Sequence, residues 1–288
     1  LMSALEPHSY RRHWPLLIVL VLSAILRLWQ LNESLWLDEL HTAWVVSEGP
    51  LDIFERARIG NHCPVCFFLP WIATSLLGMS EWALRLPSLL AGLVLVVAVY
   101  GVTFSITRSV LGAVTASLLA SFDNNFLFYA TEARPYACVQ LVAVVQLVTF
   151  WRLQSKATIM RRAAFVLSTC LLFYLHYTAI LMVSGELVAQ GFWAWLSTSF
   201  NRQPEACASL TVAQPSTRRW LAVKQHRSAT TYSLLLLLCD LILIVILMLP
   251  ALFHLAEIAS RRENWGTFVI DTDLRSAAGW FSLVSYIV

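Results

Sequence analysis

The sequence predicts an all-α, polytopic membrane protein with at least seven transmembrane helices. Hydrophobic residues make up 58% of the 288 residues, charged residues only 13%, and the mean hydropathy is +0.68. A soluble chain of this size carries about 25% charged residues. The apolar residues also form runs close to the roughly 20 residues that a helix needs to cross a bilayer. With a net charge of +3 and no basic stripe interleaved with aromatic residues, the chain is not expected to bind nucleic acid.

Apolar runs mark the predicted helices in order along the chain. The run over 163–196 is too long for one helix, and we divide it in two at His176-Tyr177. Pro250 is expected to end the last run, because proline breaks the hydrogen-bond ladder of a helix. The runs cover 15–31, 84–106, 110–122, 135–151, 163–196 and 232–250.

Polar segments connect these runs, and we assign the whole chain, 1–288, to a single transmembrane domain. The segment 32–83 is a long outer loop with interfacial helices, since its moderately apolar part, Val65–Leu77, is too short to span a bilayer. The segment 198–231 is a cytoplasmic loop and 251–279 is a further outer loop. The chain ends inside another apolar run, so we expect a protein truncated at its C-terminus.

Lys and Arg residues are distributed unevenly between the two sides of these helices. If the N-terminus is inside, the inner segments hold twelve basic residues against two acidic ones. The positive-inside rule therefore places the N-terminus in the cytoplasm of a multi-pass inner-membrane protein. The segments that then share the outer face contain Asp38-Glu39, Glu132 with Arg134, His176, and the residues after Pro250.

Asp38 and Glu39 are adjacent carboxylates just beyond the first apolar run. One interpretation is that Asp38 caps an interfacial helix, since a carboxylate accepts hydrogen bonds from free amides and favours the positive helix end. The other is that it acts as a general base at the membrane surface. The two residues alone leave both interpretations open.

A second motif runs from Glu132 to Tyr136 at the start of the fourth apolar run. Pro135 suits the first turn of a helix, so Glu132 and Arg134 form either a charge pair at a helix start or a binding site. The planar donor fork of Arg134 matches a phosphate group. Tyr129 lies in the aromatic stretch just before this motif.

Three further features carry weaker signals. Arg85 either reaches a lipid phosphate or pairs with Glu81 at the i, i+4 spacing. The pair Cys63 and Cys66, next to His62, suits a redox pair or half of a zinc site, but no second ligand pair follows. We predict no metal site, and a divalent cation is left open as a cofactor.

Acidic residues inside apolar runs are candidates for a functional role by default. Glu186 and Asp240 are two such residues. They support an alternative class, a polytopic transporter or lipid flippase without transferase activity.

Four short motifs together resemble the bacterial GT-C membrane glycosyltransferases of the protein O-mannosyltransferase and aminoarabinose-transferase group. They occur in the family's order and approximate spacing, over about residues 15–180: Leu35-Trp36-Leu37-Asp38-Glu39, His62-Cys63-Pro64-Val65-Cys66-Phe67-Phe68, Trp82-Ala83-Leu84-Arg85-Leu86-Pro87-Ser88, and Tyr129-Ala130-Thr131-Glu132-Ala133-Arg134-Pro135-Tyr136.

The resemblance implies a GT-C fold whose active site faces outward under the first loop. It implies a hexosyl or pentosyl transferase of the cell envelope that uses a polyprenyl-phosphate sugar, with a lipid, glycan or protein as acceptor. The catalytic base maps to Asp38, with Glu39 beside it, and the reaction is expected to be an inverting displacement. The residues assigned to substrate binding are His62, Arg85, Tyr129, Glu132, Arg134, Tyr136 and His176.

Overall fold

A computed structural model describes residues 13–60, 62–201 and 234–260, and all regular secondary structure in these ranges is helical. This confirms the all-α class. The helices are α1 (Trp14–Leu28), α2 (Leu37–Val46), α3 (Asp52–Ile59), α4 (Phe68–Leu77), α5 (Glu81–Thr107), α6 (Val110–Phe122), α7 (Asn124–Ala130), α8 (Tyr136–Ser155), α9 (Ile159–Leu175), α10 (Ile180–Asn201) and α11 (Leu234–Ser260).

Three described helices are long and apolar enough to cross a membrane: Glu81–Thr107, Tyr136–Ser155 and, within α11, Leu236–Ala256. Shorter apolar helices cover Trp14–Leu28, Pro64–Leu77, Val110–Phe122 and Tyr177–Ala189. These apolar helices are those of a membrane protein. The number of seven transmembrane helices stays a prediction.

The predicted loop 32–83 is mostly helical. It contains α2, α3 and α4, with a 3₁₀ turn at Pro64–Phe67 directly before α4. These short helices pack on α5 through a buried cluster in which Phe67 and Leu84 meet side chains of α2 and α3. The cluster consists of Val45, Val46, Ile53, Ala57, Phe67, Leu84 and Ala133. It holds the C-terminal end of α2, the helix whose start carries the acidic pair, against the start of α5.

Several helix boundaries differ from the sequence prediction. The predicted end at Pro250 is wrong, because α11 continues through this proline to Ser260. Proline is tolerated inside apolar helices where other groups satisfy the freed carbonyl. Residues 251–260 of the predicted outer loop are therefore helical, and 261–279 lie outside the described residues. Helix α10 likewise continues to Asn201, and the rest of the predicted loop 198–231 lies outside them.

The division at His176-Tyr177 agrees with the structure. Helix α9 ends at Leu175, a 3₁₀ turn covers Tyr177–Ala179, and α10 begins at Ile180. His176 has an extended backbone at the end of α9. The chain divides into two compact units, Leu1–Met248 and Leu249–Val288. All residues of the candidate site lie in the first unit.

The two acidic residues inside apolar helices are both hydrogen-bonded. Gln146 Nε2 donates to Glu186 Oε2 at 2.7 Å. Arg162 forms a two-pronged ion pair with Asp240, with Nη2 to Oδ1 at 2.7 Å and Nε to Oδ2 at 3.0 Å. Each pair joins two helices, so these contacts explain the buried carboxyl groups without a transported ligand.

Candidate active site

Glu39 and Arg85 form a buried ion pair that joins α2 to α5. The Glu39 side chain is fully buried, and Arg85 donates to it from Nε to Oε1 at 2.8 Å and from Nη2 to Oε2 at 2.6 Å. The backbone N–H of Ala133 also donates to Glu39 Oε1, at 2.7 Å. One carboxylate therefore holds α2, α5 and the segment after α7 in register.

Arg85 also fixes the connection between α1 and α2. Its Nη1 donates to the carbonyls of Leu31 at 2.9 Å and Glu33 at 2.7 Å. Arg85 pairs with Glu39 instead of with Glu81, the predicted i, i+4 partner. Arg85 is only 4% exposed, so its side chain does not extend toward the membrane surface. A buried guanidinium with several hydrogen bonds is a positioning group, since its donors are occupied.

Asp38 meets a different environment from its neighbour. Consecutive helix residues point about 100° apart, and the Asp38 side chain is 45% exposed where that of Glu39 is buried. Asp38 Oδ2 lies 3.6 Å from Arg134 Nη2. The Asp38 carboxylate is thus accessible and faces a fixed cation.

Arg134 lies in the short segment between α7 and α8. Asp123 Oδ1 caps α7 by accepting from Phe126 N at 3.0 Å, and Ser88 Oγ donates to the Arg134 carbonyl at 2.9 Å. The Arg134 side chain is only 5% exposed. Its Nη2 lies 3.5 Å from His62 Nε2, and its guanidinium lies over the Tyr136 ring at 5.9 Å. Because arginine only donates, His62 Nε2 is the acceptor and Nδ1 carries the ring proton.

Aromatic and imidazole rings extend the site in both directions from Arg134. The Tyr129 and Tyr136 ring centroids are 4.8 Å apart, and those of Tyr136 and His176 are 5.7 Å apart. On the other side, the His41 and His62 centroids are 5.3 Å apart. Asp38, His62, Tyr129, Arg134, Tyr136 and His176 therefore belong to one connected group.

The histidines of this group are held in their neutral form. Burial, followed by the charge of Arg134, lowers the pKa of His62 to about 3. Burial and then Arg134 also lower the pKa of His176 and of His41, with Asp38 acting in the opposite direction on His41. A neutral imidazole has one donor and one acceptor nitrogen. Because His62 Nε2 faces Arg134, the nitrogen that His62 can offer to a substrate is the donor Nδ1.

Glu132 is a buried carboxyl group next to this site. It is 5% exposed, and Oε2 has no hydrogen-bond partner among the described residues. Burial, followed by the charge of Glu39, raises its pKa to about 7, with Arg134 acting in the opposite direction. Among the described residues Glu132 forms no ion pair with Arg134, whose ion-pair partner is Asp38, so the predicted role of Glu132 in orienting Arg134 is not supported by a direct contact.

His41 belongs to the site but was not selected from the sequence. Both of its ring nitrogens are buried, with no hydrogen-bond partner in the described part of the chain. Gly60 makes room for the ring, because a Cβ there would lie 2.0 Å from His41 Nε2. In the sequence, His41 follows Asp38 by three residues, and residues at this spacing lie on the same face of a helix. This spacing indicates that His41 is close to Asp38.

Of the two cysteines beside His62, Cys63 is buried and Cys66 is partly buried. Cys66 Sγ donates to the Cys63 carbonyl at 3.0 Å. Burial raises the pKa of both thiols, which disfavours the reactive thiolate. The described residues contain no group of three or more His, Cys, Asp or Glu side chains that could hold a metal ion.

An apolar groove opens beside the site, between α4, α5, α8 and α9. Its volume is about 570 Å³. Two of its residues, Cys138 and Leu175, are within two positions of the site residues Tyr136 and His176. The lining is Leu69, Ile72, Ala73, Leu76, Leu77, Leu86, Pro87, Leu90, Ala91, Val94, Cys138, Leu141, Val142, Leu171 and Leu175.

These features define a helical membrane protein in which a polar site adjoins an apolar groove. Residues 61–215, more than half of the chain, match the family model for dolichyl-phosphate-mannose-protein mannosyltransferase, and the chain belongs to this family. The GT-C-type resemblance is thereby confirmed, and the family implies a glycosyltransferase with a lipid-linked sugar donor. Neither a curated protein nor a solved structure gives a match.

The family match covers most of the site but not the acidic pair. It includes His62, Arg85, Glu132, Arg134 and His176, and begins after Asp38 and Glu39. The roles of these two carboxylates therefore depend on their surroundings in the structure.

Proposed function

We propose that this protein transfers a sugar from a polyprenyl-phosphate donor to an acceptor at the outer face of the cytoplasmic membrane, with Asp38 as the general base. The observation that carries this proposal is the contrast within the acidic pair. Asp38 is accessible and lies 3.6 Å from Arg134, whereas Glu39 is buried and bonded to Arg85 and Ala133. Of the two residues of the acidic pair, Asp38 is the one whose carboxylate a substrate can reach.

The donor phosphate is assigned to Arg134. Its guanidinium is largely buried, and its Nε has no hydrogen-bond partner among the described residues. A guanidinium in a dry site stabilises the negative charge that develops on a departing phosphate. On binding, the phosphate competes with Asp38 for Arg134, which frees the Asp38 carboxylate for proton transfer.

The lipid part of the donor is assigned to the apolar groove. The groove begins close to Tyr136 and His176, and its side chains are aliphatic apart from Cys138. A polyprenyl chain buries apolar surface there at about 25 cal/mol per Å². The sugar then lies between the groove and Asp38, where Tyr129, Tyr136 and His62 supply ring faces and hydrogen-bonding groups.

The proposed reaction is a single inverting displacement. The acceptor oxygen or nitrogen gives its proton to an Asp38 carboxylate oxygen and forms a bond to the anomeric carbon. The bond from this carbon to the phosphate oxygen breaks, and polyprenyl phosphate leaves with the electron pair next to Arg134. General-base catalysis of this kind contributes about 10²–10⁴-fold in rate.

Glu39 and Arg85, assigned from the sequence to catalysis and substrate binding, act in this proposal as positioning residues. Their ion pair orders the start of α2 and the segment that carries Arg134. Removing one partner of a buried ion pair costs about 3–5 kcal/mol, because an unpaired charge stays buried. Glu39 thus affects transfer through folding rather than through contact with substrate.

The proposal is tested by following transfer of radiolabelled mannose from polyprenyl-phosphate mannose to proteins and lipids of membranes containing the full chain. Asp38→Asn is expected to lower transfer by about 10²–10⁴-fold at unchanged protein level and melting temperature. Glu39→Gln is expected to lower the melting temperature and the amount of folded protein. Normal transfer by Asp38→Asn removes Asp38 from the mechanism. A wild type that transfers nothing to any acceptor contradicts the proposed activity and favours a transporter.

A further inference from the structure

A second, basic pocket lies at the far ends of α8 and α9. Its volume is about 470 Å³, and it is lined by Thr149, Arg152, Met160, Arg161 and Ala164. Helix α8 begins at the active site with Tyr136 and has 20 residues, so its last turn lies about 30 Å away, close to one membrane thickness. The pocket and the active site thus belong to opposite membrane surfaces.

The two arginines of this pocket differ in their hydrogen bonds. Arg161 Nη1 donates to the carbonyls of Arg152 at 2.8 Å and Lys156 at 3.3 Å, and to Ser155 Oγ at 3.1 Å. It therefore satisfies acceptors at the C-terminal end of α8. The Arg152 guanidinium is exposed, and neither a hydrogen bond nor an ion pair is found for it in the described part of the chain. Arg152 is left to bind a group from outside.

The pocket holds positive charge that no lining residue neutralises. None of its five lining residues is acidic. The nearby Arg162 is already paired with Asp240. An anion with several oxygen acceptors is the matching ligand.

Exposed apolar side chains lie in the pocket lining, at Met160, and next to lining residues in the sequence, at Trp151 and Ile159. Met160 is 77% exposed, Ile159 80% and Trp151 54%. A free phosphate ion leaves these side chains uncovered, whereas the acyl chains of a lipid cover them. Tryptophan at such a position is typical of the headgroup region of a bilayer. Basic pockets between membrane helices are known to bind anionic headgroups.

We propose that this pocket is a binding site for an anionic phospholipid, whose phosphate is held by Arg152 and whose acyl chains lie along Trp151, Ile159 and Met160. The lipid belongs to the leaflet opposite the active site and is separate from the sugar donor. It bridges the connection between α8 and α9, two helices that carry Tyr136 and His176 at their other ends.

Native mass spectrometry of the full chain in detergent tests this site, with phosphatidylglycerol, phosphatidylcholine and inorganic phosphate as separate additions. The wild type is expected to retain phosphatidylglycerol in preference to phosphatidylcholine. Arg152→Gln is expected to weaken phosphatidylglycerol binding about tenfold, the size of one lost charge-assisted hydrogen bond. Lys156→Gln removes the same charge four positions away, outside the pocket lining, and is expected to bind like the wild type.

Three outcomes would overturn the proposal. Equal retention of the two lipids excludes recognition of the anionic headgroup. Equal loss in Arg152→Gln and Lys156→Gln shows general attraction to a basic surface instead of a site. Displacement of phosphatidylglycerol by millimolar inorganic phosphate shows a free-anion site without acyl-chain contacts. Because the readout is lipid binding, it is independent of whether the protein transfers sugar.

Discussion

At the scale of single residues, some polar groups of the site have their hydrogen bonds satisfied within the protein, and others have no hydrogen-bond partner among the described residues. Glu39 and Arg85 have their hydrogen bonds satisfied within the protein, which fixes their geometry. Asp38 is accessible, and His41 has buried nitrogens with no partner among the described residues. A buried polar group without a partner costs about 1–3 kcal/mol. Such a cost is offset when a substrate supplies the missing hydrogen bond.

The variant His41→Phe tests whether His41 contacts substrate. Phenylalanine keeps the ring packing against His62 and Phe67 but removes both nitrogens. We expect the KM for the acceptor to rise about tenfold, the effect of one lost hydrogen bond. The melting temperature should not fall, because no protein hydrogen bond is lost. Steady-state transfer kinetics and thermal unfolding in detergent measure the two effects.

His13→Phe is the matched control for this experiment. His13 Nδ1 is hydrogen-bonded to the Tyr100 hydroxyl at 2.5 Å, and its ring packs on Phe104. Its replacement should lower the melting temperature and leave the acceptor KM unchanged. An unchanged KM in His41→Phe, with transfer at the wild-type rate, would show that His41 only fills space.

Glu132 is expected to make stability depend on pH. Its pKa is raised from the ordinary value of 4.5 to about 7, so the folded state favours the neutral carboxyl group. This stabilising contribution is fully present below pH 4.5 and is lost as the pH rises through about 7. His62, whose pKa is lowered, acts in the opposite direction as the pH falls below 6.5.

Glu132→Gln isolates this contribution, since glutamine stays neutral at every pH. The melting temperature of the variant minus that of the wild type should grow between pH 5 and pH 8. Thermal unfolding in detergent at four pH values measures the difference. A difference that is constant over this range would mean that Glu132 is ionised throughout.

The sequence was informative about which residues meet, and less so about what each does. The ordered motifs and the predicted topology placed Asp38, His62, Arg134 and His176 on one face, and the structure places them in one connected group. Their roles in a reaction stay a prediction. The division of roles between Asp38 and Glu39 depends on Arg85, 46 positions further along the chain. Burial and pairing of this kind are tertiary properties that a local acidic pair does not encode.

At the scale of elements, α5 is the central support of the site. It carries Arg85 and Ser88 at its start and approaches α7 closely at Gly92. A Cβ on Gly92 would lie 2.5 Å from Ala130 Cβ and 3.3 Å from Arg27 Nε. Glycine is therefore required by the distance between two helices.

Gly92→Ala is expected to push α5 and α7 apart. Overpacking of this kind costs about 1–3 kcal/mol, and the shift also moves the segment that carries Arg134. We expect a lower melting temperature and reduced transfer. Gly101→Ala on the same helix is the control, because its Cβ meets nothing within 4 Å and alanine favours the helix. Equal effects of the two substitutions would contradict the close approach at Gly92.

Helix positions were predictable from hydropathy, but helix ends were less so. Pro250 lies inside α11, so its local preference to end a helix did not set the end of this one. Proline is tolerated inside apolar helices. The sequence predicts interfacial helices within the outer loop 32–83, but its hydropathy pattern does not define the bounds of α2 and α3. They are short, and their stability comes from packing on Phe67 and Leu84.

At the scale of the whole molecule, the two ends of α8 lie next to chemically different sites. One end carries the acidic pair, Arg134 and the histidines next to an apolar groove. The other carries Arg152 and Arg161 in a basic pocket. The first arrangement suits a lipid-linked donor and a polar acceptor, and the second suits an anionic membrane surface. This polarity agrees with the inward bias of Lys and Arg in the sequence.

The orientation of the chain is tested by cysteine accessibility in intact cells. Leu51 is 81% exposed on the side of the acidic pair, and Lys156 is exposed at the opposite end. A membrane-impermeant maleimide should label Leu51→Cys in intact cells, and Lys156→Cys only after permeabilisation. The unsubstituted chain gives the background from its native cysteines. The reverse labelling pattern would place Asp38 in the cytoplasm and would exclude an outward-facing transferase site. Labelling of both variants in intact cells would show that Leu51 and Lys156 lie on the same side of the membrane.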